Sequence, residues 1–443
     1  MPIIKSISGL RATLDGSLNE QLIKEYINAF SIVVESGTIA IGRDGRPSGE
    51  WIESIVIDEL TANGFNVINL GIVPTPTVQL IVEKYNCSAG ISITASHNPD
   101  NWNGLKFINS KGIFFDAEEN KFLWDNLGKT PKKSKLKGKI IDNINSRDFH
   151  IDLILDNLLI QNVINDIRKR KFKVVIDCVN AAASVIAPKL LREFGCEVIG
   201  LNCNESGLFP HNPEPLTENL SELRYNVKEL SADLGIAIDP DGDRLVLIDE
   251  NGEAIGEEKT VCIAIESVLL ERKGNVTVNY STTNLSKIIA EKYGVNFYKA
   301  PVGEINVVKK MKETLSIIGG EGSGGVIFPE IHYGRDSLVG IALLLRLLTI
   351  KNQSLSELNN NYPKLEMIKT KQEFYGDIEN IKAKIKEKYY KATIIEEDGI
   401  VINLGNDWIQ IRKSNTEPII RIIAESISRE KAESLVNSIK QLV

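Results

Sequence analysis

An α/β fold, three related mixed-sheet α/β domains followed by a C-terminal α+β domain around a central cleft, is what this 443-residue sequence predicts. Strand-like runs alternate with amphipathic helical runs in the same order three times, which implies crossover units on mixed or parallel sheets. The third strand of each copy empties into a loop of unusual composition. Ligand sites in open α/β sheets lie off the carboxyl ends of strands, so these loops are placed to converge on one cleft. The last segment breaks the pattern with a hairpin.

The first copy has a strand at 38–41, an amphipathic stretch at 51–63, a strand at 65–70, a helical run at 77–85 and a strand at 89–93. The second repeats this order at 172–176, 184–194, 196–201, 216–230 and 233–238, and the third at 276–278, 285–293, 295–298, 303–312 and 315–318. The period is loose, which marks domain duplication and not a solenoid. In the fourth segment 400–404, a Gly405-Asn406 turn and 408–412 read as a hairpin, followed by a strand at 418–424 and a helix at 428–442. The domains are accordingly set at 1–147, 148–250, 251–362 and 363–443, with chain enough for each to bury its own core. The connector 129–139 carries six lysines in eleven residues and reads as a solvated link.

Composition narrows the function. With 52 Lys and Arg against 59 Asp and Glu, the net charge is -7, which disfavours a general binder of nucleic acid or anionic membranes. No apolar run is long enough to span a bilayer, and the first residues lack a signal-peptide layout, so a cytoplasmic protein is expected. Five cysteines (Cys87, Cys178, Cys196, Cys203, Cys262), odd in number and without a CxxC pair, fit reduced thiols better than disulfides or a zinc site.

Chemistry concentrates in the loops. Thr94-Ala95-Ser96-His97-Asn98-Pro99 presents a serine at the end of a buried strand, with Lys106 shortly after. Ser96 fits a phosphoryl carrier, a turn or capping serine, or a hydrolase nucleophile, although GxSxG is absent and only four histidines (His97, His150, His211, His332) exist to complete a triad. Asp239, Asp241 and Asp243 place three carboxylates at alternate positions, a compact oxygen set for Mg2+. An EF-hand loop is the nearest rival, with Glu250 at its twelfth position, but Arg244 stands where that loop needs glycine and both flanks are strand-like.

Gly319 to Gly325 contains G-x-G-x-x-G, yet Val326-Ile327-Phe328-Pro329 is a poor start for the helix that a nicotinamide fingerprint requires. Glu321 and Ser323 remain as polar groups suited to sugar hydroxyls, unless the segment is only a flexible turn. Arg412-Lys413-Ser414-Asn415-Thr416-Glu417-Pro418, followed by Arg421, offers a set that grips a phosphate dianion or serves as an exposed hairpin connection. Arg11 and the loop 42–48, with Arg43 and Arg46, add further guanidinium groups.

In this order the four loops resemble those of the α-D-phosphohexomutase family, the phosphoglucomutases, phosphomannomutases and phosphoglucosamine mutases, over essentially the whole chain. The resemblance implies an isomerase whose phosphoserine, Ser96, exchanges its phosphoryl group with a hexose phosphate through a 1,6-bisphosphate, which also serves as primer. One Mg2+ would be held by Asp239, Asp241 and Asp243 against the Ser96 phosphate. Lys106 would be the base, with Arg11 and His97 close by and Arg244 near the site. Glu321 and Ser323 would bind sugar hydroxyls, and Arg412, Ser414, Asn415, Thr416 and Arg421 would clamp the far phosphate.

One departure stands out. Several bacterial members carry a histidine where this chain has Gly325, which leaves the second acid/base open and points to His332 as its replacement. The GGEGSGG loop is more similar to phosphoglucosamine or phosphomannose mutases than to the glucose-specific group, so a phosphoglucosamine mutase is expected, with a dual phosphomannomutase/phosphoglucomutase as the alternative. The expected partner is a small hexose phosphate, with no nucleic acid and no membrane, for a monomer or homodimer.

Overall fold

In the computed structural model, which describes residues 3–442 apart from 8, 133, 135, 143 and 414–417, the three-fold repetition becomes one sheet topology used three times. The first sheet contains β1 (Ile3–Ser6), β2 (Gly9–Thr13), β3 (Thr38–Arg43), β4 (Asn66–Ile72), β5 (Ala89–Ile93), β6 (Trp102–Asn109) and β7 (Ile140–Ile141), in the order β1-β2-β6-β5-β3-β4-β7. The second contains β8 (Lys173–Asp177), β9 (Glu197–Leu201), β10 (Leu234–Ile238) and β11 (Leu245–Asp249), in the order β11-β10-β8-β9. The third contains β12 (Asn275–Asn279), β13 (Phe297–Ala300), β14 (Ser316–Glu321) and β15 (Gly325–Ile327), in the order β13-β12-β14-β15. Each copy pairs its first three strands in parallel, and β6, β11 or β15 then returns antiparallel along the third.

These returning strands are absent from the sequence reading as members of the repeat, and they matter most for the loops. Each chemistry-bearing loop joins two hydrogen-bonded neighbours and is pinned at both ends. The third strands Ala89–Ile93 and Leu234–Ile238 are buried along their whole length, as expected of strands covered on both faces.

The separate cores expected for the domains are only partly realised. The second and third units share one continuous apolar core, crossed by the helix Ser337–Lys351, which is buried from Ser337 to Leu348. A helix apolar on all sides needs partners all round, and these two units supply them. Within it, buried Arg346 donates from Nε to the Leu159 carbonyl at 3.0 Å and pairs with Glu271 at 2.5 Å. A further cluster joins Val78, Ile81 and Val82 of helix Thr75–Lys84 to Ile305, Val308 and Met311 of helix Glu304–Thr314, welding the first unit to the third.

The fourth unit has its own core and an antiparallel sheet of β16 (Glu366–Glu373), β17 (Thr393–Ile395), β18 (Ile400–Leu404), β19 (Asp407–Lys413) and β20 (Ile419–Ser426), in the order β16-β20-β19-β18-β17. The expected hairpin is β18–β19, closed at Leu404 and Asp407, and Gly405 takes the left-handed φ of 80° that its tight turn needs. This unit docks through Glu425, which the Trp408 indole of its own sheet orients at 2.8 Å and which accepts from the Asn284 amide of the third unit at 2.7 Å. All five cysteines are free thiols, and Lys129, Lys132, Lys137 and Lys139 of the connector are exposed.

Leu345→Ala, in the shared core, is expected to lower stability by about 2–5 kcal/mol. Denaturant unfolding read by intrinsic fluorescence checks this, and a loss below about 1 kcal/mol would contradict a tightly packed helix between the two units.

Candidate active site

Ser96 occupies the left-handed region at φ 52°, an uncommon place for a residue with a side chain. Its surroundings hold it there. The Ser96 amide donates to Thr94 Oγ1 at 2.7 Å, and Thr94 Oγ1 donates to Asp44 at 2.6 Å. Fully buried Arg46 pairs with Asp44 and donates to the Ser96 carbonyl at 2.8 Å and to the Asn98 carbonyl. Phe209 of the second unit caps that guanidinium, 4.8 Å from its ring centre. Arg11 adds a bond to Asn98 Oδ1 at 2.8 Å. The outcome is that Ser96 Oγ lies 3.3 Å from Asp239 Oδ2 and 3.3 Å from His97 Nδ1.

Asp239, Asp241 and Asp243 are all buried, with one carboxylate oxygen from each within 4.8 Å of the others. Their loop is clamped between units. The Thr75 amide donates to the Asp241 carbonyl at 2.8 Å and Thr75 Oγ1 to its carboxylate at 3.0 Å, while Ser337 Oγ donates to the Gly242 carbonyl at 2.8 Å. Lys106 Nζ sits 2.5 Å from Asp241 Oδ2 and 3.3 Å from Asp243 Oδ2. Asp241 Oδ1 and Asp243 Oδ1 accept no hydrogen bond among the described residues, and Arg244 Nε stands 3.8 Å from the latter. Two buried carboxylate oxygens left open beside a third carboxylate are what a hard divalent cation such as Mg2+ requires, so the residues fit that group.

Burial pushes all three carboxyls up. For Asp241 the Lys106 ammonium outweighs it and for Asp243 the Arg335 guanidinium does, so both lie below the usual carboxylate range. Asp239, facing Ser96, is left well above that range by burial and by its two neighbours. Lys106 is buried, which favours its neutral form, but Asp241 and Asp243 overcome this and hold it as a cation. Burial, then Arg244 and Arg11, push the His97 imidazole well below its ordinary value, so it is neutral at pH 7.

A cleft of about 300 Å³ opens beside the loops. Arg11, Lys106, Arg244, Glu321 and Ser323 line it as the sequence reading expects, and Lys369 and Ile423 close it from the fourth unit. Arg244 Nε approaches Asp243 at 3.8 Å and Asp239 at 4.0 Å. Glu321 accepts from Asn279 Nδ2 at 2.7 Å and the Gly303 amide at 2.9 Å. The residues after the glycine loop form β15 and no helix, which is the wrong continuation for a dinucleotide fingerprint.

Arg412 and Arg421 are cross-strand neighbours on β19 and β20 and do not line the cleft; Arg412 Nε is paired with Asp398 at 2.8 Å. Ser414, Asn415 and Thr416 lie outside the described residues.

The expectation for His332 is corrected. It does not line the cleft but is buried behind it, Nε2 3.0 Å from Asp336 Oδ2, and His150 Nε2 meets the same oxygen at 2.7 Å. Asp336 in turn caps the helix Ser337–Lys351 by accepting from the Leu338 amide at 2.8 Å. The residue this cluster supports, Arg335, was missed. Its guanidinium bridges three carboxylates, Asp243 and Glu321 at 2.5 Å each and Glu304 at 3.1 Å. Glu304 and Lys369 were missed as well, whereas Arg46 is one of the guanidinium groups that the loop 42–48 offers in the sequence.

Asp241→Asn removes one of the open oxygens' carboxylates while keeping shape, and is expected to weaken Mn2+ binding by about tenfold or more. Titration of the purified protein followed by electron paramagnetic resonance checks this, and unchanged affinity would exclude the triad as a cation site.

Comparison with known proteins agrees with this geometry. Families described as phosphoglucomutase/phosphomannomutase alpha/beta/alpha domains I, II and III match residues 3–133, 149–252 and 257–365, and the corresponding C-terminal domain matches 369–442. A phosphoglucomutase/phosphomannomutase of Thermococcus kodakarensis is 36% identical over 447 residues, covering 94% of each chain. A probable phosphoglucosamine mutase of Methanopyrus kandleri is 31% identical over 446 residues, covering 98% of this chain and 96% of that one. The crystal structure of a phosphoglucomutase/phosphomannomutase family protein from Burkholderia thailandensis shares the fold at a TM-score of 0.86 and 24% identity, over 100% of this chain and 97% of that one. With all four domains matched in order, Ser96 held 3.3 Å from Asp239 of the buried triad, and Arg244 and Glu321 lining the cleft beside them, the chain belongs to the phosphoglucomutase/phosphomannomutase family, the α-D-phosphohexomutases.

Proposed function

We propose that the chain is a phosphoglucosamine mutase that interconverts hexose 6-phosphate and 1-phosphate through a phosphoryl group carried on Ser96. The observation that carries this reading is the approach of Ser96 Oγ to within 3.3 Å of Asp239, at the edge of a buried carboxylate triad with two open oxygens. A phosphoryl group on this serine would lie beside the carboxylates that would hold a cation. Mg2+ on Asp239, Asp241 and Asp243 would neutralise charge on the transferring group, which is most of what phosphoryl transfer asks of a protein.

The substrate's reacting hydroxyl enters the cleft between Lys106 and Glu321. Glu321 and Ser323 read sugar hydroxyls, and Arg11 and Arg244 supply positive charge beside the Ser96 loop. By the family resemblance Arg412 and Arg421, with Ser414, Asn415 and Thr416, would hold the distal phosphate, which requires the fourth unit to bring the two arginines from outside the cleft to the bound sugar. A bisphosphate formed by the first transfer turns end for end and returns its other phosphoryl group to Ser96, so a 1,6-bisphosphate primes the unphosphorylated protein. The clamp serves both orientations because it binds a phosphate dianion and not the carbon that bears it.

The glucosamine assignment rests on the similarity of the GGEGSGG loop and on the Methanopyrus relative. The Thermococcus relative favours a second reading, dual phosphomannomutase and phosphoglucomutase activity. No helix among the described residues is long and apolar enough to cross a membrane. The reading adds a cytoplasmic location, a small hexose phosphate as the partner, and a monomer or homodimer.

Intact mass spectrometry is expected to show a species about 80 Da heavier, the mass of one phosphoryl group, that disappears in Ser96→Ala together with mutase activity. A coupled assay on glucosamine, mannose, glucose and N-acetylglucosamine phosphates, primed with a trace of bisphosphate, is expected to favour glucosamine phosphate. Near wild-type turnover by Ser96→Ala would refute the phosphoserine, and comparable turnover on all four sugars would refute the glucosamine preference.

A further inference from the structure

We propose that Glu304 is a catalytic residue: its carboxylate takes the proton of the sugar hydroxyl that attacks the Ser96 phosphoryl group and returns it when a phosphoryl group leaves the sugar. This rests on the mutase reading above. Three carboxylates line the cleft, Glu258, Glu304 and Glu321. Glu321 is the most heavily engaged, with Asn279 and the Gly303 amide on one oxygen and Arg335 at 2.5 Å on the other, which leaves it room to accept from a sugar hydroxyl but ties its charge to the guanidinium. Glu258 is paired with Lys369 at 2.7 Å and accepts from the Thr283 amide at 2.9 Å. Glu304 has a single long contact on each oxygen, Gln79 Nε2 at 3.2 Å and Arg335 Nε at 3.1 Å, so it keeps acceptor capacity towards the cleft.

Gln79 supplies an independent observation. Its amide nitrogen donates to Glu304, while its Oε1 is buried without a partner. Oxygen and nitrogen of such an amide exchange places by rotation about the last torsion. One orientation donates to the carboxylate and the other accepts from the carboxylic acid, so the same neighbour serves Glu304 before and after it takes a proton.

The groups facing Glu304 are Arg335 and, farther off, Asp243 of the metal loop and Lys106 on β6, with Glu321 on the far side of the guanidinium. Burial outweighs the arginine, and the Glu304 carboxyl is pushed up to about 7, the range in which a group both accepts and releases protons at neutral pH.

In the first transfer the hydroxyl O–H bond breaks and its proton passes to Glu304. A bond forms from that oxygen to phosphorus, and the bond from phosphorus to Ser96 Oγ breaks with its electron pair remaining on Oγ. Oγ draws a proton from solvent and gives it back in the second transfer. There the sugar oxygen leaves phosphorus and recovers its proton from Glu304. Over a turnover no proton is gained or lost.

The test compares the full-length wild type with Glu304→Gln, which keeps shape and loses the base. The expected result is a fall in kcat of about 100-fold or more with KM within about threefold. The wild type needs ionised Glu304 to begin, so its kcat/KM falls as pH drops through about 7. That limb should vanish in Glu304→Gln, leaving only the substrate phosphate's own ionisation near pH about 6. Melting temperature and Mn2+ affinity should match wild type, which a structural role would not allow. Glu304→Asp, with its carboxylate drawn back, should keep the limb at reduced kcat. Retention of the limb near pH 7 by Glu304→Gln, or a kcat within about threefold of wild type, would overturn the proposal. Absence of hexose phosphate interconversion by the wild type would instead refute the mutase reading beneath it.

Discussion

Three carboxylates on one short loop, none more than 1% exposed, set the terms for everything around them. Buried charges are costly unless partners are brought to them, and here the partners come from other units. Lys106 arrives on β6 of the first unit and Arg335 from the third, while the second contributes Arg244 beside its own aspartates. The site therefore exists only when three units are docked, and the apolar cores that cross their boundaries supply that docking. Asp239 is the member left without a close cation, since Arg244 stands 4.0 Å away, and it is the one that faces Ser96.

Duplication supplied the loops with a common frame. Each leaves the buried third strand and comes back along it, so its ends are fixed by a β ladder while its middle is free to differ in chemistry. The loops also brace one another. Leu245, at the end of the metal loop, donates its amide to the Gly324 carbonyl at 3.0 Å, and a Cβ on Gly324 would lie 2.5 Å from the Leu245 carbonyl oxygen. Glycine is needed there for close approach of two backbones, and its φ of 91° is one that side chains resist.

Legibility followed the range of the interaction. The order of strands and crossover helices, and the loops carrying Ser96, the aspartates, Glu321 and Ser323, could be read because local periodicity and short motifs encode them. The returning strands β6, β11 and β15 were not read as part of the repeat: β15 has only three residues, and β6 and β11 are buried almost throughout, so none shows the alternation that marks a strand. Arg335 and Glu304 were invisible for another reason: each becomes part of the site only through contacts between distant segments, Arg335 with Asp243 and Glu304 with Gln79. His332 was misassigned because a histidine close in sequence to a sugar loop looks available, whereas β15 and the turn after it carry its ring behind the cleft.

Gly325, Arg335 and His332 become one feature once their geometry is known. A Cβ at position 325 would fall 2.2 Å from Arg335 Cδ, so a side chain there and the arginine in its present place exclude each other. The chain has the arginine, and a buried guanidinium with three carboxylates to reach must be aimed accurately. Its backbone pairs with Ile327, and the next residue, Asp336, donates its amide to the Val326 carbonyl at 2.8 Å. Asp336 is itself held between His150 and His332, with burial opposed by the two imidazoles, so its carboxyl stays well below the usual range and remains an anion that both rings can address. Thr77 fixes the far nitrogen of His150 at 2.9 Å and ties this anchor to the helix that also carries Gln79. The histidine that sequence offered as a proton carrier thus contributes to the cleft at one remove, by holding the aspartate next to the arginine.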